Sequence, residues 1–296
     1  MIPDTPGYLP SARNLGSMPS TVRRLPAADG VELHALVWGG GGDATPFLLV
    51  HGLASNCRTW EAVGERLHRL GHPVAAVDLR GHGRSDKPDG GYDFTTMGDD
   101  LVAVIDALGY RRPVVAGQST GGNLALDLGV RIPERLAAVV GVDGGSIELQ
   151  DRWPEWDDCA SALAPPRLAG RPAAEMVAHL RRAHASWTDA GIEATLANMD
   201  VLADGTIRPW LTFDRHMAIL RALWEHRPSK VFPDLHVPLH LLLVDDGDDW
   251  AVAKRAEAAR AEVYGVRVRW FPGADHDVHV ELPDEVAGEL HRVARR

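Results

Sequence analysis

The stretch Val114-Val115-Ala116-Gly117-Gln118-Ser119-Thr120-Gly121-Gly122-Asn123 decides how this chain is read. A short apolar run leads into a serine that has a glycine two residues to either side, the G-x-S-x-G spacing of a strand turning sharply into a helix. Glycine suits such a turn because a residue without Cβ tolerates close backbone approach and unusual φ/ψ. The geometry pushes the Ser119 hydroxyl out at the carboxyl end of the strand, where the N-terminal N–H groups of the next helix meet any oxyanion that forms. Alone, the pentapeptide is weak evidence, since a chain with 30 glycines meets it readily by chance. The surrounding sequence supplies the context.

From Thr21 onward, short β-like runs alternate with runs of helical period, which predicts a mostly parallel sheet with helices on its faces. Thr21 to Leu25 and Val31 to Trp38, split by Asp29-Gly30, read as an opening hairpin. Phe47 to Val50 reads as a buried strand ending at His51-Gly52. Trp60, Val63, Leu67 and Leu70 follow at helical spacing and stop at Gly71. Val74 to Val77 is the next strand, then the polar loop Asp78 to Ser85. Leu101, Val104, Ile105 and Leu108 stripe a helix that ends at Gly109, and a strand from Leu136 to Val142 follows the elbow helix. The rhythm breaks between Gly145 and Asp234, where helical patterns, repeated prolines and five of the nine tryptophans predict an inserted helical lobe. Its tryptophans either line an apolar cavity or pack a core, the commoner use of the residue. After Pro238 the strands Leu239 to Val244 and Val266 to Phe271 resume, with a helix from Val252 to Val263 between them and a last helix from Asp284. The expected organisation is an N-terminal arm over 1–20, a core over 21–144 and 235–296, and a helical cap or lid over 145–234.

With 296 residues, 45% of them hydrophobic and 24% charged, the chain has the material for one large α/β core carrying an insert. A formal net charge of −10 argues against a nucleic-acid or anionic-membrane partner. Cys57 and Cys159, without metal-ligand spacing, read as free thiols of a reducing compartment. No basic segment followed by an apolar one marks the N-terminus as a signal peptide, and no run reaches membrane-span length. A cytoplasmic protein acting on a small molecule is expected, with a homodimer left open.

His51-Gly52, the run Asp78-x-Arg80-Gly81-x-Gly83-x-Ser85, the elbow at Ser119, and Gly273-Ala274-Asp275-His276 together resemble an α/β-hydrolase-fold enzyme, of esterase or lipase kind. The resemblance covers nearly the whole chain outside its first twenty residues and the insert. It implies an eight-stranded, mostly parallel sheet flanked by helices, a cap inserted after the sixth strand, and a triad in the order nucleophile, acid, histidine. Ser119 takes the nucleophile position and His276, on the loop after the last strand, the base; His279 is a weaker candidate. For the carboxylate, Asp248 is chosen from the run Asp245, Asp246, Asp248 and Asp249, with Asp246 as rival and Asp143, after the preceding strand, as a more distant alternative. The family's oxyanion donors would be the main-chain N–H groups of Leu53 and Thr120, His51 would support their loop, and the loop from Asp78 to Ser85 would stabilise the fold.

A serine at the elbow sets aside the haloalkane and epoxide chemistry of the fold, which needs a carboxylate there. No dinucleotide fingerprint, Walker loop or Cys/His cluster calls for a cofactor or a metal. The expected function is a carboxylic-ester hydrolase acting through an acyl-enzyme on a small to medium apolar ester or lactone. The alternatives are a hydrolase-fold receptor with slow turnover and a cofactor-free lyase, oxygenase or perhydrolase; the Ser119-Thr120-Gly121-Gly122 run resembles perhydrolase elbows.

Overall fold

The structure is a computed structural model; it describes residues 20–40, 43–245, 247 and 249–295. Its central strands are short and buried on both sides: β3 (Phe47–Val50), β4 (Val74–Val77), β5 (Val114–Gln118) and β6 (Ala138–Val142). Continuous apolar runs of this kind suit a parallel sheet covered on both faces. Their side chains alternate between two cores. Phe47, Leu49, Ala116 and Val140 join Val63, Leu67, Val286 and Leu290 on one face. Leu48, Val50, Val115 and Val139 join Leu101, Ile105, Leu124 and Leu128 on the other.

These helical residues belong to α1 (Glu61–Arg69) and to the terminal helix over Pro283–Ala294 on the first face. On the second they belong to α2 (Phe94–Leu108) and α3 (Thr120–Arg131). Asp93 caps α2 by accepting from Thr96 N–H at 2.8 Å, and Gly109, at φ +65°, ends it in the left-handed conformation the sequence assigns to this glycine.

The opening hairpin forms as β1 (Thr21–Pro26) and β2 (Glu32–Trp38), and β2 runs antiparallel to β4. The remaining strands are parallel, with β9 (Leu239–Asp245) beside β6 and β10 (Arg267–Pro272) beside β9. The sheet therefore has eight strands in the order β1-β2-β4-β3-β5-β6-β9-β10. The carboxyl ends of β3, β5, β6 and β10 lie along one edge.

Between β6 and β9 the chain forms the helices α4 (Leu149–Arg152), α5 (Trp156–Leu163), α6 (Ala173–Ala183), α7 (Asp189–Leu196), α8 (Phe213–Glu225) and α9 (Pro228–Val231). The sequence predicts helices here; the structure adds a ribbon of β7 (Met199–Val201) and β8 (Ile207–Pro209). Its turn is built by Asp204, whose Oδ1 accepts from Thr206 N–H at 2.9 Å, and by Gly205 at φ +80°. The tryptophans of this segment pack: Trp156 meets Trp224, Trp153 meets Trp250, and Lys87 lies over Trp210.

After β9 come α10 (Asp249–Glu262), α11 (Val278–Glu281) and α12 (Pro283–Ala294). Cys57 and Cys159 are buried free thiols. Among the described residues no helix is long and apolar enough to cross a membrane. The arm expected over 1–20 lies outside the described residues except for Ser20.

Candidate active site

At the end of β5 the chain bends where the sequence predicts. Ser119 sits at φ +52°, ψ −122°, a conformation that costs an L-residue on the order of 1–3 kcal/mol and persists only when its surroundings enforce it. The enforcement is steric. A Cβ on Gly117 would stand 2.0 Å from the carbonyl oxygen of Gly121, and one on Gly121 would stand 2.5 Å from that of His51. Ser119 N–H donates to Val142 O at 3.0 Å, which ties the elbow to β6.

The end of β6 is built the same way. Asp143 follows the strand at φ +41°, and a Cβ on Gly144 would stand 2.2 Å from Ser119 O, so the two turns interlock. Asp143 is buried. Its Oδ1 accepts from Val244 N–H at 3.1 Å, while its Oδ2 accepts from His276 Nδ1 at 2.5 Å and from Lys254 Nζ at 2.8 Å. Burial opposes ionisation of this carboxyl, but the bonds from His276 and Lys254 more than offset it and hold it below the usual carboxylate value.

His276 lies on the loop between β10 and α11, its side chain half exposed where it faces a cavity. Desolvation would lower its proton affinity; the hydrogen bond and charge of Asp143 outweigh that and raise its pKa above the ordinary imidazole value. Nδ1 carries the proton given to Asp143, which leaves Nε2 as the basic nitrogen. His279, the weaker candidate, is fully buried against the Trp60 ring at 4.4 Å, and burial pushes its pKa down to about 3.

The chosen carboxylate, Asp248, and its rival Asp246 lie outside the described residues. Asp245 pairs with Arg255 at 2.6 Å, away from the histidine. The carboxylate bonded to His276 is Asp143, the alternative ranked last from sequence.

The third side of the site is the turn after β3. Leu79 N–H donates to His51 Nε2 at 3.0 Å, so the ring proton is on Nδ1, which donates to Gly52 O at 2.7 Å. His51 is thereby spent on holding its own turn, and its burial lowers its pKa. His82 braces the same turn by accepting from Ala54 N–H at 3.3 Å. Behind it, Asp78 accepts from Cys57 N–H at 2.7 Å and Arg84 N–H at 2.8 Å, and Arg80 grips Asp100 with two bonds of 2.6 Å. The loop from Asp78 to Ser85 is a hydrogen-bonded support, as expected from sequence.

Leu53, Ser119, Thr120, Asp143 and His276 all line one cavity of about 440 Å³. Among the described residues neither Leu53 N–H nor Thr120 N–H has a protein acceptor. A second, smaller cavity of about 110 Å³ shares Leu53, Ser119 and His276 and is walled by the polar residues Thr59, Thr195 and Asn198. The site thus has a hydroxyl on a strained turn, an imidazole oriented by a buried carboxylate, and two main-chain donors open to the same space.

Residues 47–289 match the alpha/beta hydrolase family. The chain belongs to this family. The AB hydrolase superfamily protein YisY of Bacillus subtilis is 40% identical over 85 residues, which cover 29% of this chain and 32% of that protein. An esterase from Mycobacterium tuberculosis is 36% identical over 123 residues, 40% of either chain. Such matches span about a third of the length of the curated relatives. The crystal structure of E-2-(acetamidomethylene)succinate hydrolase superposes with a TM-score of 0.75 over 94% of this chain and 100% of that one, at 21% identity, a likeness of fold.

Among the cavity residues that escaped the sequence reading of this hydrolase fold are Lys254 and Glu257, both on α10. Val252 to Val263 looks like a charged, solvent-facing helix, and nothing in its pattern marks which polar residues turn inward.

Proposed function

We propose that this chain is a serine hydrolase that cleaves carboxylic esters through an acyl-enzyme, with Ser119, His276 and Asp143 as its triad. The observation that carries the reading is the convergence of Ser119 and His276 on one cavity, with His276 already bonded to Asp143. In the first half-reaction Ser119 Oγ attacks the substrate carbonyl carbon while His276 Nε2 accepts the hydroxyl proton. Asp143 stabilises the imidazolium without taking its proton. The carbonyl oxygen, now anionic, accepts from the N–H groups of Leu53 and Thr120, for which no acceptor among the described residues competes. His276 then passes the proton to the departing alcohol. In the second half-reaction water attacks the acyl-Ser119 carbonyl carbon, giving a proton to His276, which passes it to Ser119 Oγ as the acyl–oxygen bond breaks; the carboxylic acid leaves and the serine hydroxyl is restored.

The cavity volume suits a small to medium acyl group or lactone. Leu163 of α5 and Leu220 and Leu223 of α8 form part of its wall, which supports assigning the segment over 145–234 as a cap that shapes the substrate site. Ser119→Ala is expected to abolish p-nitrophenyl ester turnover and fluorophosphonate labelling while leaving the thermal unfolding transition in place. Turnover retained in that variant would rule the reading out.

A further inference from the structure

Leucine is the commonest residue in the wall of the large cavity, yet α10 turns two ionisable side chains into it. Lys254 and Glu257 are three positions apart and share a face of the helix. Glu257 is 8% exposed. Its Oε1 accepts from Glu148 N–H at a long 3.3 Å, and among the described residues no side-chain donor reaches it. Lys254 Nζ gives one bond to Asp143, and among the described residues its other two N–H donors have no hydrogen-bond acceptor. Buried polar groups with spare capacity disfavour an occupant that excludes water and offers nothing in return.

Charge narrows the class of occupant. A carboxylate would meet Lys254 but also Glu257 and Asp143, and an ammonium would meet Glu257 but also Lys254. A neutral group that both donates and accepts answers both side chains. We propose that Glu257, with Lys254 beside it, selects acyl groups that bear a hydroxyl, so that the natural ester or lactone is a hydroxyacyl compound. This inference rests on the hydrolase reading.

Burial pushes the Glu257 carboxyl up to about 7, against the Glu148 N–H and Arg260 and with the help of Asp151 and the Glu148 carboxylate. Near neutral pH it is thus present both as a donor acid and as an acceptor carboxylate. A hydroxyl serves either form.

The test compares kcat/KM for ethyl hexanoate with its β-hydroxy and ω-hydroxy analogues and with the ω-carboxylate and ω-ammonium esters. The wild-type enzyme is expected to favour one hydroxy ester over the parent by about tenfold. In Glu257→Leu that ratio collapses to near one; in Glu257→Gln, whose carboxamide still donates and accepts, most of it remains. Because the ratio is taken within each enzyme, a general loss of activity cancels. A flat wild-type ratio, a preference for either charged ester, or an unchanged ratio in Glu257→Leu overturns the inference while Ser119 still labels with fluorophosphonate. Failure of Ser119 to label in the wild type overturns the hydrolase reading, and this inference with it.

Discussion

The ends of β6 and β9 both carry aspartate, and they are built in opposite ways. At the end of β6 a single carboxylate, Asp143, is buried, held at φ +41° and locked by a glycine whose neighbour is the backbone of Ser119. At the end of β9 an acidic run begins with Asp245, which is partly exposed and satisfied by Arg255. Abundance of carboxylates favours β9; enforced geometry favours β6. The contrast teaches that the partner of the proposed catalytic imidazole is marked by the cost the fold bears to hold it, a cost Asp245 does not bear.

Removing the β6 carboxylate gives the largest effect. Asp143→Asn is expected to lower kcat on the order of 10⁴-fold, since the wrong imidazole tautomer is then favoured, and steady-state ester hydrolysis measures it. The interlock comes next. Gly144→Ala brings a Cβ against Ser119 backbone atoms that cannot rotate away, so the melting temperature is expected to fall by several degrees, for a cost of roughly 1–3 kcal/mol. Lys254→Met sharpens the contrast through pH. The proposed mechanism needs neutral His276, so kcat/KM is expected to fall as pH drops through its raised pKa; Lys254 depresses that pKa, and its removal is expected to move the acid limb to higher pH. A limb that stays in place or moves down would deny Lys254 this influence. The smallest effect belongs to β9. Asp245→Asn removes an ion pair worth about 0–1 kcal/mol at a partly exposed site, and kcat/KM is expected to stay within about twofold.

The sheet was legible because its signals are local: apolar runs of four or five residues, Gly71 and Gly109 at helix ends, and the glycines around Ser119. His276 was legible from its loop after the last strand. The acid was not. Asp143 is distinguished by a positive φ and by contacts from Val244, Lys254 and His276, three partners remote in the chain. The local trace was the Asp143-Gly144-Gly145 run, in which small residues allow two turns to touch; beside the four aspartates from Asp245 to Asp249 it was a faint one. The β7–β8 ribbon had a comparable signal in Asp204-Gly205, masked by short strands with little alternation. Lys254 and Glu257 left none, because burial of a charged helix face is decided by what packs over it.

The most direct test is an NMR titration of the His276 ring in the wild type and in Asp143→Asn. The pairing of His276 with the β6 carboxylate requires a wild-type pKa above the ordinary imidazole value of about 6.5 and a clear fall when the carboxylate becomes an amide. An unchanged titration in Asp143→Asn would mean that another group orients the imidazole, and the assignment of the triad would be wrong.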